Sequence, residues 1–130
     1  MNEFTPSNIL KRLTDPRHYF LVSENEEGID GFIQVSTDSP APVSGCSTTE
    51  ISTFYVQPRH HGKGIGKKLL NAALLYCNAQ SAKSVWLATN AENAPAIAFY
   101  LAQGFIKVGE THFRIGEEAY LNNVYTLSLA

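Results

Sequence analysis

The sequence predicts an α/β domain built on a mixed sheet of six strands, with helices covering its faces. Three observations predict it. Short β-rich segments bounded by glycine, proline and acidic turns recur along most of the chain. The apolar period changes to that of a helix from Ile65 onward. Between these regimes stands a glycine-rich turn, so the chain runs strand, turn, helix at its centre.

Taken in order, Thr5-Pro6 suits the start of a helix, as N-cap and first-turn proline. Ile9, Leu10 and Leu13 give that helix an apolar face, and Asp15-Pro16 ends it. Tyr19–Ser23 reads as a strand, Glu24–Gly28 as an acidic turn and Ile29–Ser36 as the hairpin partner. Thr37–Ser47, with two prolines, a glycine and four serines or threonines, is a loop. Thr49–Val56 is a strand that Pro58 stops, and Gly62–Gly66 is a turn. Ile65, Leu69, Ala72, Ala73, Tyr76 and Cys77 then mark one helical face. Ser84–Thr89 is a strand. Pro95–Gln103 is a second helix with Gly104 as its stop. Phe105–Glu110 and Tyr120–Leu129 close the chain as strands paired through the loop between them. With no internal repeat or domain linker, residues 1–130 read as one domain.

Composition narrows the function classes. At 44% hydrophobic and 17% charged, the 130-residue chain can bury a core. A net charge of −2 gives no general attraction to nucleic acid. No basic start followed by an apolar run is present, and no apolar stretch is of membrane-crossing length. Cys46 and Cys77, with His18, His60, His61 and His112, make no metal-ligand spacing, so no metal is expected. A reducing, cytoplasmic setting is the expectation. The charge distribution says more than the sum. Arg59, Lys63, Lys67 and Lys68 place four of ten basic residues in one ten-residue stretch, inside the glycine-rich turn.

That turn is Val56-Gln57-Pro58-Arg59-His60-His61-Gly62-Lys63-Gly64-Ile65-Gly66-Lys67-Lys68-Leu69-Leu70. A helix N-terminus has unpaired N–H groups and about half a positive charge. Glycines let an anion approach the amides, and lysines add charge, so the segment suits a pyrophosphate. It is not a P-loop, because no serine or threonine follows a Gly-Lys pair. The spacing of Gly62, Gly64 and Gly66 is not the dinucleotide fingerprint either.

The pattern V-x-P-x-x-H-G-K-G-I-G-x-x-L-L resembles motif A of the GNAT N-acetyltransferase superfamily, written [QR]-x-x-G-x-[GA]. His61 stands at the Gln/Arg position and is a departure, while Gly64 and Gly66 are the required glycines. Downstream, Asn93-Ala94-Pro95-Ala96-Ile97-Ala98-Phe99-Tyr100 with Gly104-Phe105 resembles motif B, N-x-x-A-x-x-x-Y-x-x-x-G-F. Together with the flanking strands the likeness covers nearly the whole chain.

The resemblance implies a mostly antiparallel central sheet and acetyl-CoA as co-substrate, wedged between the strands at 50–56 and 84–89. It implies that the backbone of Phe54, Tyr55 and Val56 pairs with the pantetheine arm. His61, Gly62, Lys63, Gly64, Ile65, Gly66 and Lys67 would hold the pyrophosphate. Asn93, with Ala96 on the same helix, would face the arm, and Tyr100 would direct its hydroxyl at the thioester sulfur. A donor there fits the chemistry, since acyl transfer expels a thiolate whose conjugate thiol has a pKa of about 8.5. Glu50 has the strand offset of a base that acts through water in one branch of the family, though a strand-end glutamate is also commonly just solvated. The acceptor would be a primary amine, on a small molecule such as a polyamine or on a protein or peptide. The other reading is an acyl-CoA-binding or interaction module without catalysis.

Two further expectations follow. Tyr19, Trp86, Phe113 and Tyr125 read as core or lining residues, and Cys77 as packing. Family members usually begin with a strand and a helix ahead of the one placed at Pro6–Thr14, and these appear absent here. Tyr19–Ser23 would then be a bare sheet edge, and a homodimer could cover it.

Overall fold

The computed structural model describes residues 17–57 and 64–129. The helix expected at Pro6–Thr14, and with it the question of a strand or helix ahead of β1, lies outside the described residues.

Among the described residues the chain forms β1 (His18–Asn25), β2 (Gly28–Ser36), β3 (Glu50–Val56), α1 (Ile65–Ala79), β4 (Ser84–Asn90), α2 (Ala94–Ala102), β5 (Ile106–Ile115) and β6 (Glu118–Ser128). This is the order read from the sequence. The six strands form one sheet in the order β1-β2-β3-β4-β6-β5. Four of the neighbouring pairs are antiparallel and one, β3 with β4, is parallel. The crossover through α1 makes that parallel pair possible.

Period-two alternation assigns the two faces of the sheet. One face carries Leu21, Ile33, Val35, Ile51, Val85, Leu87 and Tyr125. Leu69, Leu70, Ala73 and Cys77 of α1 and Tyr100 of α2 complete the same buried cluster. Both described helices therefore lie on one side of the sheet. A side chain at Gly31 would bring its Cβ to 2.9 Å from the Tyr55 carbonyl and 3.0 Å from Leu69. The bare backbone there lets the N-terminal half of α1 settle close over β2 and the end of β3.

The opposite face is crossed by the loop between β2 and β3. The buried Trp86 ring donates from Nε1 to the Ser39 carbonyl at 2.9 Å. Gly109 of β5 leaves room for Val43, whose Cγ1 would be 2.6 Å from a Cβ placed there. The loop is thus fastened at both ends of its crossing.

The hairpin β5–β6 is longer than the sequence predicted. Its strands run on to Ile115 and start again at Glu118, joined by a turn in which Gly116 has φ 62°. Phe113, read as core or lining, is 56% exposed on this hairpin. Residues 110–115 are solvated on both faces except Thr111, so they give no apolar alternation to read.

β1 is the terminal strand of the described sheet. His18, Tyr19, Phe20, Ser23 and Glu24 nonetheless all have further partners.

Candidate active site

β3 and β4 are joined at one register pair, Glu50 with Trp86, reinforced by the Trp86 amide donating to the Thr49 carbonyl at 3.0 Å. Past that point the two parallel strands have no further register pair. Six more residues of β3 and four of β4 continue beyond the junction. At about 3.3 Å per residue the open stretch along β3 is roughly 20 Å long. Its backbone edge toward β4 presents N–H and C=O groups suited to an extended chain added as a strand.

At the far end of β3 stands the N-terminus of α1. Gly64 is its N-cap, at φ 81° and ψ 4°, the left-handed region that costs a side-chain-bearing residue energy. No side chain caps this helix and no acid lies in its first turn. Its positive end is left to the exposed Lys67 and Lys68 and to whatever anion approaches. Gly66 plays a different part. A Cβ there would sit 3.6 Å from Val56 and 3.7 Å from both Phe54 and Phe99, ordinary contacts with the core. His61, Gly62 and Lys63 lie outside the described residues. Ile65 packs against the core from the first turn.

Along β3 the side chains part by face. Phe54 and Val56 turn toward the helices. Tyr55 turns to the other face, 45% exposed, with its ring centroid 5.5 Å from that of Phe32. Only the backbone of the three is shared along one edge.

α2 starts where β4 ends. Asn93 is its N-cap and accepts from the Ala96 amide at 3.2 Å, with Pro95 in the first turn. Asn93 is therefore a capping residue in the described structure. The residue is exposed, and its amide NH2 remains a donor.

Two turns along α2, Tyr100 is buried among rings. Its centroid is 5.6 Å from Phe99, 5.6 Å from Phe105, 6.2 Å from Phe54 and 6.5 Å from Tyr125. Burial pushes its phenol up to about 12, because the charged phenolate is disfavoured away from water. The hydroxyl keeps its proton throughout the neutral and moderately alkaline range. Cys77, also buried, is pushed up to about 11 for the same reason and is inert packing, as its place on the helix face predicted.

Glu50 stands at the junction of the strands, half-buried. Its Oε1 accepts from Ser39 Oγ at 2.6 Å, so the loop over the open face holds it in place. Beside the C-terminal end of β4 lies a groove of about 380 Å³ lined by Ala88, Thr89, Asn90, Phe113, Ile115, Tyr120 and Asn122. Sequence reading missed this groove, because half its wall is the exposed tip of the β5–β6 hairpin. Among the described residues no cluster of three or more His, Cys, Asp or Glu could hold a metal ion. No described helix is long and apolar enough to cross a membrane.

The chain is similar to known proteins in sequence and in fold. The model of the Acetyltransferase (GNAT) family matches residues 2–105. An uncharacterised N-acetyltransferase of Mycobacterium tuberculosis is 31% identical over 115 residues, 88% of this chain and 69% of that protein. A streptothricin acetyltransferase of Streptomyces lavendulae is 33% identical over 101 residues, 67% of this chain and 53% of that protein. Among solved structures, a nourseothricin acetyltransferase superposes with a TM-score of 0.74 at 23% identity, over 92% of this chain and 71% of its own. A putative acetyltransferase from Salmonella typhimurium, solved with its cofactor acetyl-CoA, superposes at 0.69 with 22% identity, over 87% and 65%. On the family match and the geometry together, the chain belongs to the GNAT acetyltransferase family.

Proposed function

We propose that the protein transfers the acetyl group of acetyl-CoA to a primary amine by direct attack in a ternary complex. The observation behind this is the open parallel pair β3–β4, bracketed by the Gly64 helix N-terminus and by Tyr100. In this reading the pyrophosphate sits at the turn formed by His61, Gly62, Lys63, Gly64, Ile65, Gly66 and Lys67. The pantetheine arm lies along the backbone of Phe54, Tyr55 and Val56, with the Asn93 amide and Ala96 on its other side. The thioester then points toward the strand junction at Glu50.

The amine nitrogen attacks the thioester carbonyl carbon, a C–N bond forms and the C–S bond breaks. N–H groups on the open edge of β3 suit the developing oxyanion. The departing thiolate receives a hydrogen bond from Tyr100. Full proton transfer from a phenol at about 12 to a thiolate of about 8.5 is uphill. Tyr100 therefore acts as a hydrogen-bond donor, and water completes the protonation. The amine begins mostly as an ammonium, with a pKa of about 8 for a peptide amino terminus and about 10 for an alkyl amine, so a base is required. Glu50 is the proposed base, through water.

The acceptor enters by the groove at the end of β4. Its wall is apolar at Phe113, Ile115 and Tyr120, with Asn90 and Asn122 as polar groups and no carboxylate in its lining. That chemistry favours an amine on an apolar body, such as a peptide amino terminus, over a polyamine. Cys46 and Cys77 are free thiols, in keeping with a cytoplasmic setting.

The test is a thiol-release assay with acetyl-CoA against short peptides, amino acids, aminoglycosides and polyamines. Acetylation of at least one amine class is expected. Tight acetyl-CoA binding with no transfer to any of them would instead identify a non-catalytic acyl-CoA-binding module.

A further inference from the structure

The face of β3 that carries Glu50 also carries a chain of hydroxyls that the proposed chemistry does not use. The register of β2 against β3 shifts between Gln34 and Val35, with Gln34 opposite Thr53 and Val35 opposite Ile51. Ser52 is the extra residue of that bulge. Ser52 stands two residues from Glu50, so strand alternation puts both on the face that Ser36 shares, opposite Ile51 and Phe54. Ser52 Oγ lies 2.7 Å from Ser36 Oγ, and Ser36 Oγ lies 2.8 Å from His18 Nδ1. Three strands thus contribute one side chain each to a continuous hydrogen-bonded row. Ser52 is exposed, Ser36 is buried at 4% and His18 is half-buried.

The direction of this row follows from Gln34. Its Nε2 can only donate, and it lies 3.1 Å from the same His18 Nδ1. Nδ1 is then an acceptor, and the neutral ring carries its proton on Nε2. Ser36 donates to Nδ1, and the Ser52 hydroxyl has two acceptors in reach, Ser36 Oγ at 2.7 Å and the Gln34 carbonyl at 3.4 Å. The open acceptor is the Ser52 oxygen, at the exposed end. Ser52 lies two residues from the Glu50–Trp86 junction and two residues before Phe54, where the proposed pantetheine pairing ends.

We propose that Ser52, Ser36 and His18 form a proton relay that carries the proton of the acceptor amine away from the reaction centre, in parallel with Glu50. It rests on the acetyltransferase reading above. Before the C–N bond forms, the bound ammonium passes one N–H proton to Ser52 Oγ, which frees the nitrogen lone pair for attack. Ser52 passes its own to Ser36, and Ser36 passes its own to His18 Nδ1. Imidazole becomes imidazolium, the amine nitrogen keeps the electron pair of the broken N–H bond, and a proton later returns to solvent from the ring. Imidazole suits the terminus because one ring nitrogen can take a proton while the other gives one up. Among the described residues, β1, β2 and β3 carry the charged groups Glu24, Asp30 and Glu50, with Arg17 just before β1 and Asp38 in the loop after β2. Ser52 is the catalytic member, touching the amine, and Ser36 and His18 are positioning residues.

The variants are Ser52→Ala, which alters an exposed site and leaves the fold intact, His18→Gln, and Ser52→Thr as the conservative replacement. The probes are a tetrapeptide with a free amino terminus and spermidine. With Ser52→Ala and His18→Gln, kcat should fall about tenfold below the amine's pKa, where ammonium predominates, and the deficit should close above it, past a pH of about 8 for the tetrapeptide and about 10 for spermidine. KM for acetyl-CoA should stay unchanged, and Ser52→Thr should restore kcat. A deficit equal at all pH, or no deficit in Ser52→Ala, overturns the relay. Nitrogen-15 NMR of the His18 ring tests it without any acceptor: the Nε2–H tautomer is expected, and the Nδ1–H tautomer overturns it. If the wild type acetylates neither probe, the acetyltransferase reading fails for these amines, and the tautomer alone decides the relay.

Discussion

Tyr100 shows how one residue can serve packing and chemistry together. Four rings surround it, and that burial is the reason its hydroxyl stays protonated. Replacing it with phenylalanine keeps the ring contacts and removes the donor. Turnover should fall by about ten- to a thousandfold, with acetyl-CoA affinity nearly intact, as expected when a single donor to developing charge is lost. Steady-state kinetics with calorimetry reads both quantities. Because burial raises the phenol to about 12, an alkaline limb near neutral or mildly alkaline pH in the wild type is expected to belong to another group. Glu50 makes the complementary case. Glu50→Gln keeps an oxygen for Ser39 Oγ but removes the charge, and activity should drop most at acidic pH, where free amine is scarcest. A pH–rate profile that overlays the wild type would take Glu50 out of the proton path. At this scale the sequence singled out Tyr100, Asn93 and Gly64 through their likeness to the two family motifs. It had no means of finding Ser36 or Ser52, since ordinary serines in strands carry no signal until pairing across strands brings them together.

At the scale of elements, α1 is the part whose role rests most on backbone. Gly64 holds a left-handed conformation at its N-cap, while Gly66 lies in ordinary contact distance of core side chains. The two glycines should therefore respond differently. Gly64→Val places a β-branched residue at positive φ, costs about 1–3 kcal/mol of strain and turns the first N–H groups away from an anion. Acetyl-CoA binding by calorimetry should be lost while circular dichroism still reports a folded chain. Gly66→Ala should retain binding, since its Cβ finds room. Retained affinity in Gly64→Val would overturn the pyrophosphate assignment. Element boundaries were legible where an apolar period or a proline marked them, as at Ile65 and Pro95. They failed in the β5–β6 hairpin, whose outer half is exposed and whose length is set by pairing between the strands.

Across the whole molecule, the sheet is complete on either side of a central opening. β1-β2-β3 and β4-β6-β5 are each well paired, and they meet at the Glu50–Trp86 junction. The loop from Ser39 to Val43 and the two helices hold the halves together on opposite faces. A co-substrate bound in that opening would bridge both halves. Acetyl-CoA at a hundredfold excess over its Kd should add about 2.7 kcal/mol of stability, roughly ten degrees in Tm for a domain of this size. Differential scanning fluorimetry checks this, and no shift at millimolar acetyl-CoA would count against the opening as its site.

The sequence by itself determined the order of strands and helices from β1 onward, the strand–turn–helix at the centre and the two motifs that flank it. Local chemistry writes all of these: glycine at positive φ, proline at a first turn, and apolar residues at helical spacing. The tertiary structure alone decided that β3 and β4 part after one pair, that the loop after Ser36 crosses the open face, and that hydroxyls from β2 and β3 line up with His18. Each depends on residues far apart in the chain meeting across strands. A splay or a bulge is a property of the register between two strands, and neither strand encodes it alone.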